Sequence, residues 1–367
     1  APALGAVPVD GPPAARTLFS TAPMLPVLDL DEADLNALFG SVRRHEEREG
    51  DTLLSFFHGE QAHVVLRAKE LRVLRPHGHI LRSGKGLTPD ETALTSTAWM
   101  AGVFHSMITQ GHVSINRFLS TQHSYLGLFR SQGQRVFVHS GGEWQLLGVP
   151  SAFEIVPDGC RWIYKHGGGL LELHSRALGE PHALALDIQV QRGQALRLRI
   201  THHVAFGGDD GSAPGPALWA ATPQGVFVAT APGTDIGRRF PDGGFGVEPA
   251  AGATFSHIGG DELLFADGVS HAQPFVCIDA EAAPSFGLRI TGRLVPDGSE
   301  PAPLAGILPA LRLHPPAASA YAADVQRLAD IVPWFTHNAL VHYLAPRGLE
   351  QYSGGGWGTR DVCQGPL

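Results

Sequence analysis

Cysteine is scarce. Cys160, Cys277 and Cys363 are the only three in 367 residues, and they lie far apart. They make no CxxC and no metal-ligand spacing, and an odd number argues against a disulfide framework. Reduced, mostly buried thiols in a cytoplasmic protein are expected. Basic residues are outnumbered: 27 Lys+Arg against 35 Asp+Glu, for a net charge of −8. That balance argues against nucleic-acid or anionic-membrane binding, which both require a basic surface. No apolar run approaches the ~20 residues that cross a bilayer. No GxSxG occurs, which removes the simplest serine-hydrolase reading. Gly84-Lys85-Gly86 lacks the Walker spacing and its strand-then-helix setting, so a nucleotide site is not expected there. Four residues after His45 stands Glu49 rather than His, so the helical zinc motif fails. Ala1 to Arg16 lacks the pattern of a signal peptide. With no initiator Met, the N-terminus is expected to be processed or to lie inside a longer chain.

Glycine and proline, by contrast, are abundant: 45 and 28 residues, spread without a repeat period. Such punctuation is typical of strands joined by turns, as in sandwiches and barrels. The apolar share of 43% is that of a soluble globular chain. The length exceeds what one ordinary core requires, so more than one domain is expected.

Residues 1–50 read as an entry segment. Ala3–Ala15 has linker composition. A helix is expected over Asp29–Arg48, where Leu35, Leu38, Phe39 and Val42 follow helical spacing and His45–Glu49 forms a solvated end. From Thr52 the period changes to two. Strands are expected around Val64 and Leu66, Leu71 and Val73, Val136 and Val138, Phe153 and Ile155, Trp162 and Ile163, and Leu170–Leu173. Trp99–Leu128 reads as short strands and loops that fill a core. The clearest hairpin is expected over 183–206, where Leu184, Leu186, Ile188 and Val190 alternate, Gln191–Gln194 turns, and Leu196, Leu198 and Ile200 alternate again. Further strands are expected at Val226–Thr230, Glu262–Phe265, Phe275–Ile278 and Phe286–Leu294. One wet and one buried face per strand implies antiparallel sheets packed as layers over 51–300.

Residues 301–346 read as a helical linker of two helices. Ser319 caps the first, which carries Val325, Leu328, Ala329 and Val332, and Pro333 starts the second, with Trp334, Phe335, Leu340 and Leu344 on its apolar face. The last segment, 347–367, is unusual. Gly354-Gly355-Gly356 allows close backbone approach to a ligand. Trp357 offers a flat face for a pyranose ring, while Arg360 and Asp361 supply directed donors and acceptors. Gln364 falls on the same face if a helix begins here. These residue types fit a sugar subsite; a structural turn with a surface ion pair is the other reading.

The stretches Trp334-Phe335-Thr336-His337-Asn338-Ala339-Leu340, Gly348-Leu349-Glu350-Gln351-Tyr352-Ser353 and Trp357-Gly358-Thr359-Arg360-Asp361-Val362-Cys363-Gln364-Gly365-Pro366 resemble the entry to the catalytic barrel of inverting glycoside phosphorylases, the cellobiose-phosphorylase family (glycoside hydrolase family 94). Within it, the resemblance is to the 1,2-β-oligoglucan (sophorooligosaccharide) phosphorylase branch. Arg75-Pro76-His77-Gly78-His79-Ile80-Leu81 and Ser131–Val138 are weaker matches to that branch. The resemblance implies a mainly β chain: a large antiparallel β-sandwich (supersandwich), two linker helices and the start of an (α/α)6 barrel. It implies a glycosyltransferase that cleaves β-glucooligosaccharides with inorganic phosphate as co-substrate and no cofactor, releasing α-glucose 1-phosphate with inversion. It places Arg360 and Asp361, and by position Trp357 and Gln364, at the glucose-binding subsite. No catalytic residue is assigned: the general acid is expected beyond Leu367, so this chain alone is expected to be inactive. Several family members are homodimers, though no dimer surface is legible here.

Two other readings stay open, a non-catalytic carbohydrate-binding β-sandwich protein and a related β-glucan hydrolase or transferase. No metal is expected. Asp209-Asp210 lacks the ligand intervals of a calcium loop, and His202 and His203 point to opposite faces of one strand.

Overall fold

The period-two stretches fold into strands, and every strand pair is antiparallel. The computed structural model describes residues 16–74, 76–84, 92–110, 118–119, 123–124, 127–128, 130–179, 181–206, 215–293, 313 and 320–344. Early in the chain come α1 (Leu18–Thr21), α2 (Glu32–Phe39), β1 (Arg44–Glu49), β2 (Thr52–His58), β3 (Ala62–Leu66) and α3 (Arg67–Glu70). Next are β4 (Gly78–Arg82), β5 (Leu94–Trp99), β6 (Val103–Gln110), β7 (His123–Ser124), β8 (Gly127–Leu128), β9 (Gln134–Ser140) and β10 (Glu143–Leu146). The middle of the chain supplies β11 (Ala152–Val156), β12 (Gly159–His166), β13 (Gly169–Gly179), β14 (His182–Arg192) and β15 (Leu196–His203). Then follow β16 (Leu218–Thr222), β17 (Gly225–Ala229), α4 (Asp235–Arg239), β18 (Gly244–Pro249), β19 (His257–Gly259), β20 (Phe275–Ala283), β21 (Ser285–Arg293) and α5 (Ala322–Leu344).

Among the described residues the strands form an eleven-stranded sheet in the order β1-β2-β3-β11-β12-β13-β14-β21-β18-β17-β16. A five-stranded sheet, β10-β9-β15-β20-β19, and a three-stranded one, β4-β5-β6, complete the layers, beside the short pair β7-β8. The main core unites the three larger sheets. Leu171, Leu184, Leu186 and Leu288 come from the large sheet, Val138, Leu198 and Ile278 from the five-stranded one, and Leu81, Phe104 and Ile108 from the third. Trp162 and Tyr164 are fully buried there, with Tyr164 Oη donating to the Gly148 carbonyl at 2.8 Å. Cys160 and Cys277 are free and buried. Burial in apolar surroundings pushes both thiols up, so they remain protonated.

The outer face of the large sheet carries a second core under α2. Leu35 and Phe39 pack on Phe56, Val64, Leu66, Ile163 and Leu170. Asp31 caps the helix by accepting from the Asp34 N–H at 2.9 Å. Lys165 reaches up from β12 to both carboxylates, and Arg192 from β14 donates to Asp34 at 2.8 Å. The Lys165 ammonium, followed by the Asp34 N–H, holds the Asp31 carboxyl down at about 2. Asp34→Ala, which strips two cationic partners of a buried acceptor, is expected to cost about 2 kcal/mol. Urea unfolding checks this: a midpoint unchanged from wild type would show the clasp to be idle.

The structure differs from the sequence expectations at five places. The helix expected over 29–48 ends at Phe39, because Gly40 turns the chain at φ 80°. Arg44–Glu49 is instead the charged edge strand β1, paired to β2. Leu71 and Val73 follow the short helix α3 rather than lying in a strand. Within Glu262–Phe265 the chain makes a 3-10 turn, Asp261–Leu263, organised by the Asp261 carboxylate, which accepts from the Ser270 hydroxyl and the His271 and Gln273 N–H groups. The strands of the expected 183–206 hairpin both exist, but they do not pair. β14 pairs with β13 and β21, and β15 with β9 and β20, so the 191–194 turn crosses from one sheet to the other. At its apex Gly193 has φ 105°, and a Cβ there would lie 2.2 Å from the Gly168 carbonyl oxygen.

The fifth difference is α5. One continuous helix, Ala322–Leu344, stands where two were expected, and Pro333 lies inside it. An interior proline costs about 3 kcal/mol or more. Anchors on both sides offset this. Asp330 accepts from Arg44 and from His45 Nε2 on β1, Val332 is buried, and His337 Nε2 donates to the Ile80 carbonyl at 2.8 Å. Among the described residues no helix is long and apolar enough to cross a membrane.

Candidate functional site

Strand β13 alternates from Leu171 to Arg176. Leu171, Leu173 and Ser175 face the core, which turns Glu172, His174 and Arg176 outward. β14 does the same with Leu184, Leu186 and Ile188 inside, and Asp187 and Gln189 outside. Register then sets the outward groups side by side. His174 is opposite Asp187, which is opposite Gly287 on β21; Glu172 is opposite Gln189, which is opposite Ser285.

These groups form one end of a polar network crossing five strands. His58 Nε2 on β2 lies 2.6 Å from Glu154 Oε1 on β11. Arg161 Nε on β12 donates to Glu154 Oε2 at 2.7 Å, and its Nη1 reaches Glu172 Oε1 at 3.5 Å. Gln191 Nε2 on β14 donates to Glu172 Oε2 at 3.3 Å and to Gln189 Oε1 at 3.1 Å. Burial works to raise the Glu154 carboxyl, but His58 and Arg161 outweigh it and hold it below the usual range. One row along, Arg176 Nη2 donates to Asp187 Oδ2.

Beside this network the sheet is indented. Gly287 has no side chain to fill the space opposite Asp187, and the small-residue turn Ala250–Ala253 forms a wall, tied down by the Ala250 N–H donating to the Gly287 carbonyl at 2.9 Å. The resulting open cleft has a volume of about 420 Å³ and is lined chiefly by Glu172, His174, Arg176, Asp187, Gln189 and Ser285. Burial, then the Arg176 and Arg161 charges, lowers the His174 pKa, so its imidazole is neutral at pH 7. The period-two alternation of Glu172, His174 and Arg176 is legible in the sequence; the indentation beside them is not, because Gly287 is 113 positions from His174 in the chain.

A second cluster lies where α5 meets β4. The His79 and His337 rings are 4.9 Å apart, and the Trp334 ring stands edge-on to His79 at 5.3 Å. Burial, then the neighbouring His337, pushes His79 down to about 3. The structure thus joins His79 and Ile80 to Trp334 and His337, which are remote in sequence. Arg75 itself, and the predicted subsite residues Trp357, Arg360, Asp361 and Gln364, lie outside the described residues, as do Asp209 and Asp210. His202 and His203 diverge as expected: His202 bonds inward to Gln134 and the Val276 carbonyl, while His203 packs edge-on against Phe275. Among the described residues no group of three or more His, Cys, Asp or Glu is placed to hold a metal ion.

Comparison with known proteins sets this architecture in context. Residues 41–292 match the family model of the glycoside phosphorylase supersandwich domain. The chain is 29% identical over 334 residues to a protein of Listeria innocua serovar 6a named 1,2-beta-oligoglucan phosphorylase, covering 89% of this chain. It spans 30% of the length of that relative. Among solved structures, a polysaccharide lyase aligns with 57% of this chain and 34% of its own at 11% identity, with a TM-score of 0.36.

Proposed function

Because the chain belongs to the glycoside phosphorylase supersandwich domain family, we propose that the protein is a phosphorylase of β-1,2-linked gluco-oligosaccharides. The domain match carries this reading, and the similarity to a relative named for that substrate supports the linkage. In the reaction, a phosphate oxygen attacks the anomeric carbon of the donor glucose from the face opposite the leaving sugar. The C1–O bond to the rest of the oligosaccharide breaks as the bond to phosphate forms, giving α-glucose 1-phosphate with inversion. A carboxylic acid protonates the departing oxygen, and no carboxylate base is needed because phosphate is already a nucleophile. No residue of this chain is assigned as that acid.

In this reading the sandwich, expected from residue 51, begins with β1 at Arg44 and runs to about residue 300, 301–346 is the helical linker and 347–367 the entry of an (α/α)6 barrel. The sandwich packs on the barrel and shapes the cleft for the glucan. Arg360 and Asp361 hold hydroxyls of the donor glucose, with Trp357 stacked on its ring and Gln364 beside them. The test is incubation of the intact protein with sophorotriose and inorganic phosphate. Release of glucose 1-phosphate in step with phosphate loss supports the reading. Cleavage by water, with phosphate untouched, would assign the protein to the hydrolases instead. Arg360→Ala is expected to lower turnover about 100-fold, as charge-assisted hydrogen bonds to the sugar are each worth ~1.5–3 kcal/mol. Wild-type turnover in that variant would remove the subsite assignment.

A further inference from the structure

We infer that the cleft between Gly287, the Ala250–Ala253 turn and the outward row of β13 and β14 is a binding site for an uncharged saccharide. The choice of a saccharide rests on the phosphorylase reading; the geometry of the site stands independently of it. The indentation is built into the backbone. A Cβ on Gly287 would meet Asp187 Oδ1 at 2.8 Å and the Ala250 Cβ at 2.9 Å, so any larger residue at this rung intrudes on the floor of the hollow. Its volume of about 420 Å³ falls within the ~300–1,000 Å³ of small-ligand sites.

Charge narrows the ligand class. The lining holds two carboxylates, and each faces a guanidinium, Asp187 that of Arg176 and Glu172 that of Arg161, so no unpaired charge is left to draw in phosphate or another anion. A cation finds both carboxylates already engaged: Asp187 by Arg176, and Glu172 by Arg161 and Gln191. What remains is an array of directed groups. The half-buried His174 imidazole lines the cleft. Alongside it stand the Ser285 hydroxyl, the Gln189 amide and the Asp187 carboxylate. In its neutral form the imidazole offers one donor and one acceptor, and a hydroxyl or an amide likewise offers both. A chain of sugar hydroxyls, each donor and acceptor at once, answers that array; an ion or an apolar ligand does not. The Ala250–Ala253 wall supplies a small apolar surface for the C–H face of a pyranose.

The test is titration of the full chain with sophorotriose, followed by calorimetry and by the His174 imidazole signals in NMR, assigned with His174→Ala. Glucose 1-phosphate serves as the anionic control. The expected result is a saturable shift of His174 with sophorotriose and binding at least tenfold weaker with glucose 1-phosphate. Gly287→Val is expected to weaken sophorotriose binding at least tenfold by filling the hollow. Gln189→Ala, at an exposed position, should weaken it severalfold with an unchanged melting temperature, which keeps the test sound if the valine variant folds poorly. A His174 signal indifferent to sophorotriose, or equal binding in all variants, overturns the inference. Phosphorolysis measured on the intact protein, as in the test of the proposed function, separates the two claims. Turnover without a His174 shift sinks only the cleft. A His174 shift in this chain, with no phosphorolysis by the intact protein, sinks only the phosphorylase reading.

Discussion

Lowering the pH from 6.5 to 4 is expected to remove much of the stability of this protein, with the loss beginning well above the ~4 at which ordinary carboxylates titrate. Four histidines are responsible. Burial lowers His63, His105 and His202 to about 4 and His79 to about 3; Lys69 and His77 add to the effect at His63, His337 at His79 and His105 at His202. The Ala185 and Val276 carbonyls, which accept from His105 and His202, oppose the shift without cancelling it. In the unfolded chain an imidazole titrates near ~6.5. With folded values depressed, the unfolded state binds more protons between the two, so stability rises with pH across that window. The full stability is present above about pH 6.5. The loss begins as pH falls through that value and is complete below the folded values. A drop from 6.5 to about 4, and to about 3 at His79, corresponds to several kcal/mol per group, so even part of the sum is a large fraction of the ~5–15 kcal/mol that holds an ordinary protein folded. Calorimetric melting temperatures at half-unit steps should fall steeply below pH 6.5. The slope should be shallower in His105→Gln, which keeps a donor for Ala185 and removes the titration. A flat profile from pH 7 to 5 would contradict the burial of these rings.

Asp279→Ala is expected to destabilise the protein by about 3–5 kcal/mol, as removal of one partner of a buried ion pair does. Arg199 on β15 and Asp279 on β20 are register partners on the outer face of the five-stranded sheet. Arg199 Nε and Nη2 donate to the two carboxylate oxygens at 2.7 Å each. The same guanidinium donates to the Leu263 carbonyl and stacks 4.9 Å from the Trp144 ring centroid. Asp279 is almost wholly buried, so its loss strands a cation beneath the 261–264 turn with one carbonyl for company. The double variant Arg199→Met/Asp279→Leu should recover much of the loss, because it removes both charges and keeps the volume. Urea unfolding of the wild type and the two variants decides the matter: a double variant no more stable than Asp279→Ala would show that packing, rather than the stranded charge, sets the cost.

Local pattern carried much of the fold. Period-two stretches at Val64, Val136, Trp162, Leu184, Leu198, Phe275 and Phe286 all became strands, because which side of a strand is apolar is written in neighbouring residues. Partnering was not so written. β14 and β15 look like a hairpin in sequence, yet each buries its apolar face only by joining a different sheet, and the turn between them became a crossing. Pro333 reads locally as a helix start, but Asp330 and His337, fastened to β1 and β4, hold one helix through it. The cleft followed the same division. The outward row Glu172, His174 and Arg176 could be read from alternation, whereas Gly287 and Ala250–Ala253 entered only through register with β21. The amino-acid sequence by itself therefore determined the β class, the faces of the strands and the family resemblance, since these rest on short-range periodicity and short motifs. Only the tertiary structure decided sheet order, the continuity of α5, the burial of the titrating histidines and the place of the cleft, since each depends on contacts between residues far apart in the chain.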